Sequence, residues 1–395
     1  MAAPRLPAPA PCVAEDLRQV GLAAGLDAVG FTDTAPLLDT RAELHRRIAA
    51  GLHDTMAFTY RNPERSTSPD RLLRSARSLV VGARSYLVAE PDEVPPLAAR
   101  VARYAWNDQY AELRAALNVV ADALRAKGWR AAVYADDNAV VDRAVAQRAG
   151  LGWYGKNANL LLPKAGSWFV LGCVATDAPI ESDATPVRDG CGACTRCFAG
   201  CPTDAIPEAG VIDASRCLAW LLQKPGVFPR RFRRALGSRI YGCDDCQEVC
   251  PVNERFATAR RDDEVAGGAF VSVLELLALD DEALRRRNGQ WYLFERDPRW
   301  LRRNALIVLG NLLADDAGEG VASADRVAAE ARLAAAVADP DPIVRAHAIW
   351  AARRAGFDHL VPDQDLDPVV AAELVEGDGV ESVDVIPTRR QWERR

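Results

Sequence analysis

The sequence predicts a three-part fold: an α/β domain, a cysteine-framed segment after it, and an all-α domain that closes the chain. Three observations carry this reading. Short apolar strand runs alternate with amphipathic helix patterns over the first 182 residues, the mark of a layered α/β unit. Eight of the ten cysteines then crowd between Cys191 and Cys250. Beyond residue 257 the pattern turns helical and arginine-rich. The expected parts are 1–182, 183–257 and 258–376, with 377–395 a loose tail of low apolar content.

Within the first part, apolar residues at helical spacing (Val13, Leu17, Val20, Leu22) predict a helix over 13–26, with Gly25 as its end signal. A short strand over 28–31 and a helix over 37–50 follow. Residues 51–70, broken by prolines and serines and carrying Arg61 and Arg65, read as a loop. Residues 78–83 form a buried strand run. An amphipathic helix spans 110–127 and stops at Gly128; a strand over 129–135 then leads into Asp136-Asp137-Asn138. A helix over 140–149 ends at Gly150, ahead of the glycine-dense stretch 150–157 and an apolar strand over 167–176.

At 395 residues the chain is long enough for two or three domains with real cores. Its 49% hydrophobic and 26% charged residues describe an ordinary soluble protein. Residues 1–11 are rich in Ala and Pro, without the apolar run of a signal peptide, and read as a disordered lead-in. No stretch approaches the roughly 18 apolar residues of a membrane span. A net charge of −6 excludes bulk electrostatic binding of nucleic acid, so any such site has to be a local patch.

The cysteines carry the strongest chemistry. Cys191, Cys194, Cys197 and Cys201, followed by Pro202, spell C-x2-C-x2-C-x3-C-P, the ligand run of bacterial ferredoxins. Cys243, Cys246 and Cys250, followed by Pro251, form a second group, with Cys217 in place of the missing first cysteine. Eight thiolates suffice for two [4Fe-4S] clusters, hence a ferredoxin-like segment. Because the fourth cysteine of such a run ligates the other cluster, the sets are Cys191, Cys194, Cys197 and Cys250, and Cys201, Cys217, Cys243 and Cys246. Zinc would need only four of these and gives no reason for two Cys-Pro endings. Disulfides belong to small secreted chains. Thiolate-held clusters need a reducing compartment, which points to the cytoplasm. Cys12 and Cys173 are weak candidates, the latter a buried, inert thiol in an apolar strand.

In the last part, Leu301, Arg302 and Ala305 recur as Val344, Arg345 and Ala348, a period of 43 in the range of HEAT repeats. This predicts stacked helix pairs that bury their faces on one another.

Clusters pass single electrons and choose no substrate, so the α/β domain has to supply the site. Asp136-Asp137-Asn138 lies just after a strand; a carboxylic acid there donates a proton, while on spacing alone an Asp/Asn turn is the commoner role. The Gly155-Lys156-Asn157 turn admits close backbone approach, or is a plain turn. Arg103-Tyr104-Ala105-Trp106 either lines a flat cofactor or forms a core edge. Only His45, His53, His347 and His359 are present, none near these stretches, so histidine-based catalysis is not expected.

Taken together, Asp136-x5-Asp142-Arg143, Ala149 to Asn157, Gly166-Ser-Trp-Phe169, Cys191 to Thr203 and Tyr241 to Gln247 closely resemble epoxyqueuosine reductases. The resemblance runs from about Arg65 to Asn253, and the HEAT-like tail fits it. It implies a cobalamin-binding α/β domain, two clusters feeding the cobalt, and removal of the epoxide oxygen of epoxyqueuosine at the tRNA wobble position. Asp136 matches the family's proton donor. Arg65, Arg103, Asn157, Asn159 and Ser167 fall at its cobalamin pocket, with Gln223 beside it, and the loop Cys243-Asp244-Asp245-Cys246 faces the corrin. The implied partners are the tRNA anticodon loop and an external low-potential electron donor, with the chain acting as a monomer. Where many members read Asp-x-Ala-Pro-x-x-Glu-Arg, this chain has Asp136-Asp-Asn-Ala-Val-Val-Asp-Arg143, so Asp137 competes as the acid. Arg230, Arg231, Arg233, Arg234 and Arg239, Arg285 to Arg287, and Arg299, Arg302 and Arg303 are the expected phosphate-binding patches. A same-build cobalamin and iron–sulfur reductase acting on another substrate, and a ferredoxin-like electron carrier, are the alternatives.

Overall fold

The computed structural model describes residues 11, 13–260, 262–315 and 321–375. Most of the expected lead-in, Cys12, and the expected tail lie outside the described residues.

The strands in chain order are β1 (Ala28–Asp33), β2 (Ser78–Ser85), β3 (Ala98–Val101), β4 (Ala131–Ala135), β5 (Trp153–Tyr154), β6 (Leu160–Leu161), β7 (Phe169–Thr176), β8 (Arg239–Tyr241) and β9 (Phe270–Ser272). Four of them form a sheet in the order β1-β2-β7-β4. Every neighbouring pair in it is antiparallel. The alternation of strands and helices is therefore real, but it does not produce the parallel sheet that such alternation usually brings. The connection carrying helix Leu38–Ala49 returns the chain in reverse beside β1, and β7 enters between β2 and β4.

Side chains alternate across this sheet with period two. Phe31, Val80 and Val174 pack under helices Ala14–Ala23 and Gln109–Ala126, against Leu17, Leu113 and Leu117. Leu79, Val81, Cys173 and Ala175 face the other way, against Val140, Ala144 and Val145. Burying each such aliphatic side chain contributes roughly 1.5–3 kcal/mol. Cys173 is fully buried there and its thiol is held well above its ordinary pKa by burial. The loop expected over 51–70 contains two short 3-10 turns and the helical turn Pro63–Ser66, whose Arg65 N–H is capped by the Asn62 side chain.

A second sheet has the order β8-β3-β9, with β3 parallel to β8 and antiparallel to β9. It joins strands from all three stretches of the chain. Its core follows suit: Ala99, Val101 and Trp106 share one cluster with Leu218, Leu221, Phe228 and Ile240 and with Leu301, Leu306 and Leu309. The hydrophobic core thus runs across positions 182 and 257 without a break.

The C-terminal part stacks helices Arg299–Asp315, Ser323–Val337, Pro342–Arg354 and Pro368–Val375. Asp341 caps the third of these through the N–H groups of Ile343 and Val344. The residues matched at a period of 43 occupy equivalent places: Leu301 and Val344 are buried, as are Ala305 and Ala348, while Arg302 pairs with Asp281 and Arg345 with Asp365.

Arg303 fastens this part to the cysteine segment. It is fully buried between the rings of Phe228 and Trp300. It donates to the carbonyls of Leu221 (2.9 Å), Leu222 (3.3 Å), Lys224 (2.9 Å) and Gly226 (2.8 Å). Burial, with Arg233 nearby, pulls its pKa down to about 9. Arg303→Met should cost about 3 kcal/mol or more in urea unfolding, because these buried carbonyls lose their donor together.

Candidate active site

Two thiol groups form where the first and second cysteine runs meet. Gly200 packs so closely on Val249 that a Cβ there would stand 2.6 Å from Val249 Cγ2. Arg196 pairs with Glu254 across the same junction at 3.1 Å. Cys191, Cys194, Cys197 and Cys250 line one cavity of about 430 Å3, counting the solvent at its mouth. The Cys197 thiol is pushed up to about 11 by burial first and then by Cys191, Cys250 and Cys194. Cys201 sits in a small apolar cluster against which Cys217 and Cys246 pack. Cys217 and Cys201 raise the pKa of Cys246, and Cys246 that of Cys243, in both cases after burial. Ala205 N–H donates to Cys201 Sγ at 3.1 Å. Buried thiols held side by side resist ionising on their own; a cationic metal core removes that penalty. Among the described residues no three acids, imidazoles or thiols close on the spacing of a single bound ion. The first four thiols instead ring a cavity. Pro251 opens helix Pro251–Phe256 at its first position, where a missing N–H costs nothing.

A buried polar network ties the Cys243–Cys250 loop to the α/β part. Asp244 Oδ2 accepts the Arg103 backbone N–H at 2.7 Å. Ser167 Oγ donates to Gln247 Oε1 at 3.0 Å, and Tyr86 Oη lies 3.3 Å from the same oxygen. Asn253 donates to Ser167 Oγ (2.9 Å) and to the Gln247 carbonyl (2.8 Å) while accepting the Ser167 N–H. Gly166 is required here: its φ is +83°, and a Cβ would meet Asn253 Oδ1 at 2.2 Å. The Arg103 guanidinium pairs with Glu248 and Glu90 and lies over the rings of Trp106 and Trp168. Burial pushes Asp244 up to about 6. Asn157 donates to the Cys246 carbonyl at 3.0 Å, and its Oδ1 accepts the Asn159 N–H. Arg103, Asn157, Ser167 and Asp244 therefore all have partners within the protein. Asp245 pairs with Arg239; Gln223 is half-buried and its carbonyl accepts the Phe294 N–H; Arg65 is exposed, near Tyr134.

Asp136 follows β4 in a left-handed conformation, φ +53°. That is a strained backbone for a non-glycine residue, though Asp tolerates it better than most. Asp137 Oδ1 accepts the Ala139 N–H at 2.8 Å, so Asp137 performs the turn-capping role. Solvent reaches Asp136 directly, but protein closes around it on its other sides. This burial raises its pKa; Arg114 opposes the rise, and Asp108 and Asp137 add to it. Tyr110 and Tyr241 both feel Asp136, and Tyr104 feels Tyr241, Tyr110 and Asp244. Tyr104 and Tyr241 pack on each other with ring centroids 6.0 Å apart, and Tyr104 stands beside Gly242 at the start of the Cys243–Cys246 loop. Asp142, in the first turn of helix Asp142–Arg148, is pushed well above the ordinary carboxylate range by burial first and then by Asp136. Its Oδ1 is buried without a hydrogen-bond partner.

Residues 190–253 match the family described as 4Fe-4S double cluster binding domain. The chain is 34% identical over 313 residues to the epoxyqueuosine reductase of Vibrio cholerae, covering 76% of this chain and 83% of that protein. It is 31% identical to that of Bacillus subtilis, over 91% of this chain and 89% of the other. The chain belongs to the epoxyqueuosine reductase family. Its fold agrees: a crystal structure of an epoxyqueuosine reductase with an epoxyqueuosine-modified tRNA stem loop superposes with a TM-score of 0.81 at 28% identity, covering 91% of this chain and 96% of that one.

Several arginines that read as phosphate contacts of this reductase do other work. Arg233 and Arg303 are buried, and Arg233 pairs with Glu373. Arg239 is held by Asp245; Arg285, Arg286, Arg287 and Arg299 pair with Asp281, Glu282, Glu275 and Asp297 but stay exposed, so these surface pairs leave them open to phosphate. Arg231 and Arg234 remain exposed on helix Arg230–Leu236. Of the histidines, His45 meets Glu64, His359 meets Glu330, His53 faces Tyr60, and His347 accepts the Phe228 N–H inside the helical part. Sequence reasoning missed Gln247, Asn253, Tyr86 and Asp142 as individual site residues. Gln247 and Asp142 stood inside the quoted motifs; Tyr86 and Asn253 had no local signal.

Proposed function

We propose that this chain reduces epoxyqueuosine to queuosine at the wobble position of tRNA, the last step of queuosine biosynthesis. The observation that supports it most is Asp136, a carboxyl with a raised pKa on a left-handed turn after β4, at the position that matches the proton donor in a chain of this family. Removing the epoxide oxygen as water consumes two electrons and two protons. A protonated Asp136 holds one of those protons at the leaving oxygen. Asp137 spends one carboxyl oxygen on the Ala139 N–H, whereas Asp136 makes no such turn contact among the described residues.

Two [4Fe-4S] clusters, one on Cys191, Cys194, Cys197 and Cys250 and the other on Cys201, Cys217, Cys243 and Cys246, would supply electrons singly from an external low-potential donor. Cobalamin, when bound, supplies a cobalt centre that is strongly nucleophilic once reduced. The residues present fit it: Arg103 Nε is an unpaired buried donor and Asp142 Oδ1 an unpaired buried acceptor, and corrin amides offer both complements. Arg65, Asn159 and Gln223 would line its rim, and Arg103, Asn157, Ser167 and Asp244 would shape its floor. The paired C-terminal helices are read as HEAT-like, and exposed Arg231 and Arg234 as phosphate contacts for the anticodon stem loop. No helix among the described residues is long and apolar enough to cross a membrane. We read the enzyme as a cytoplasmic monomer.

The test is nucleoside analysis of tRNA from cells lacking the gene. Epoxyqueuosine should accumulate and queuosine return on complementation. Unchanged nucleosides would favour a reductase of the same build with another substrate.

A further inference from the structure

The Gly155-Lys156-Asn157 turn reaches both thiol groups from outside the cysteine segment. Lys156 Nζ donates to the carbonyls of Gly192 (2.7 Å) and Cys194 (3.0 Å), and Lys156 lines the cavity formed by Cys191, Cys194, Cys197 and Cys250. Its neighbour Asn157 donates to the Cys246 carbonyl in the other group. The Lys156 carbonyl accepts the Gly210 N–H, and Asn157 is buried, so the turn is fixed at both residues. The acceptors of the ammonium are neutral carbonyls. Its positive charge is therefore left uncompensated beside four thiols, half-buried and so poorly screened.

We propose that Lys156 is a positioning residue that sets the reduction potential of the cluster held by Cys191, Cys194, Cys197 and Cys250. This rests on the assignment of those four cysteines to one cluster. Taking up an electron makes a thiolate-ligated cluster more negative. A fixed cation at its wall stabilises the reduced form more than the oxidised form and raises the potential. The same two hydrogen bonds hold the Cys191–Cys194 loop in register. Asn157 carries no charge, so the second cluster lies outside this effect except through distance. The arrangement makes the cluster on Cys191, Cys194, Cys197 and Cys250 easier to reduce than its ligands alone would make it.

The test uses reconstituted full-length protein carrying Lys156→Met and Lys156→Arg. Iron content and EPR-monitored redox titration are read for each, without substrate. Two cluster signals in wild type, one of them lost in both Cys191→Ser and Cys250→Ser, establish the underlying assignment; a single signal in wild type would sink the cluster reading itself. With both present, Lys156→Met should keep its iron and shift one signal by about tenfold in the reduced-to-oxidised ratio at fixed potential, ~59 mV downward for one electron. Lys156→Arg should restore it, and the other signal should stay in place. Unshifted potentials in Lys156→Met at full iron content would overturn the proposal. Loss of that cluster's iron in both variants would also overturn it, leaving Lys156 as a loop brace only.

Discussion

Asp136→Asn should abolish most turnover while leaving iron content and cofactor binding at wild-type levels. General acids of this kind typically contribute about 10²–10⁴-fold, and a loss in that range is expected in single-turnover assays on an epoxyqueuosine-containing stem loop. Asn is the informative replacement because it keeps the size of Asp and also tolerates the left-handed φ of +53°. The loss is then one of proton donation, with the turn intact. The pH dependence follows from the raised pKa of Asp136, caused by burial with Asp108 and Asp137 adding and Arg114 opposing. The protonated carboxyl is the active form, so wild-type activity should fall as pH rises through that raised pKa. The residual activity of Asp136→Asn should lack this limb. Activity within a few fold of wild type, or an unchanged profile, would move the acid role to solvent or to Asp142, whose buried Oδ1 lies unpaired nearby.

What could be read from the chain depended on whether the relevant contact was local. Iron–sulfur ligation imposes short, fixed spacings, so the cysteine runs were legible and the double-cluster family covers the same residues. Strands β1, β2, β4 and β7 were legible for a similar reason, since each is a short apolar run with its own periodicity. The antiparallel order of the sheet was not, because pairing partners are set by connections and not by the runs themselves. β3 escaped notice: Ala98-Ala-Arg-Val101 is short and weakly apolar, and it is a strand because β8 and β9 flank it. The Ser167–Asn253 bond spans 86 residues and leaves no local trace. Arginine was the most misleading residue. A buried Arg303 and an exposed Arg231 look alike in an arginine-rich stretch, and only the carbonyls of residues 221–226 explain why one of them faces inward.

Cys250→Ser and Cys191→Ser should damage the same cluster, although 59 residues separate them and Cys250 lies only four residues from Cys246. Each variant should lose about half the bound iron and the same EPR signal, and the double variant should lose no more than either single one. Cys217→Ser and Cys246→Ser should remove the other half. The geometry behind this is the approach of Gly200 to Val249 and the Arg196–Glu254 pair, which press the end of the first run against the end of the second. Cys250 is thereby set at the wall of the cavity that holds Cys191, Cys194 and Cys197, while Cys201 is drawn toward Cys217 and Cys246. A chain that grouped its ligands by sequence would show the opposite pattern, with Cys250→Ser and Cys246→Ser sharing a signal. The crossing also has a mechanical consequence. On the crossed assignment each cluster would pin both runs, so losing one should loosen the loop 243–250 that Asn157, Ser167 and Arg103 hold against the α/β part. Faster amide hydrogen exchange across 243–250 in Cys191→Ser, far away in sequence, is the sign that the two runs are one structural unit.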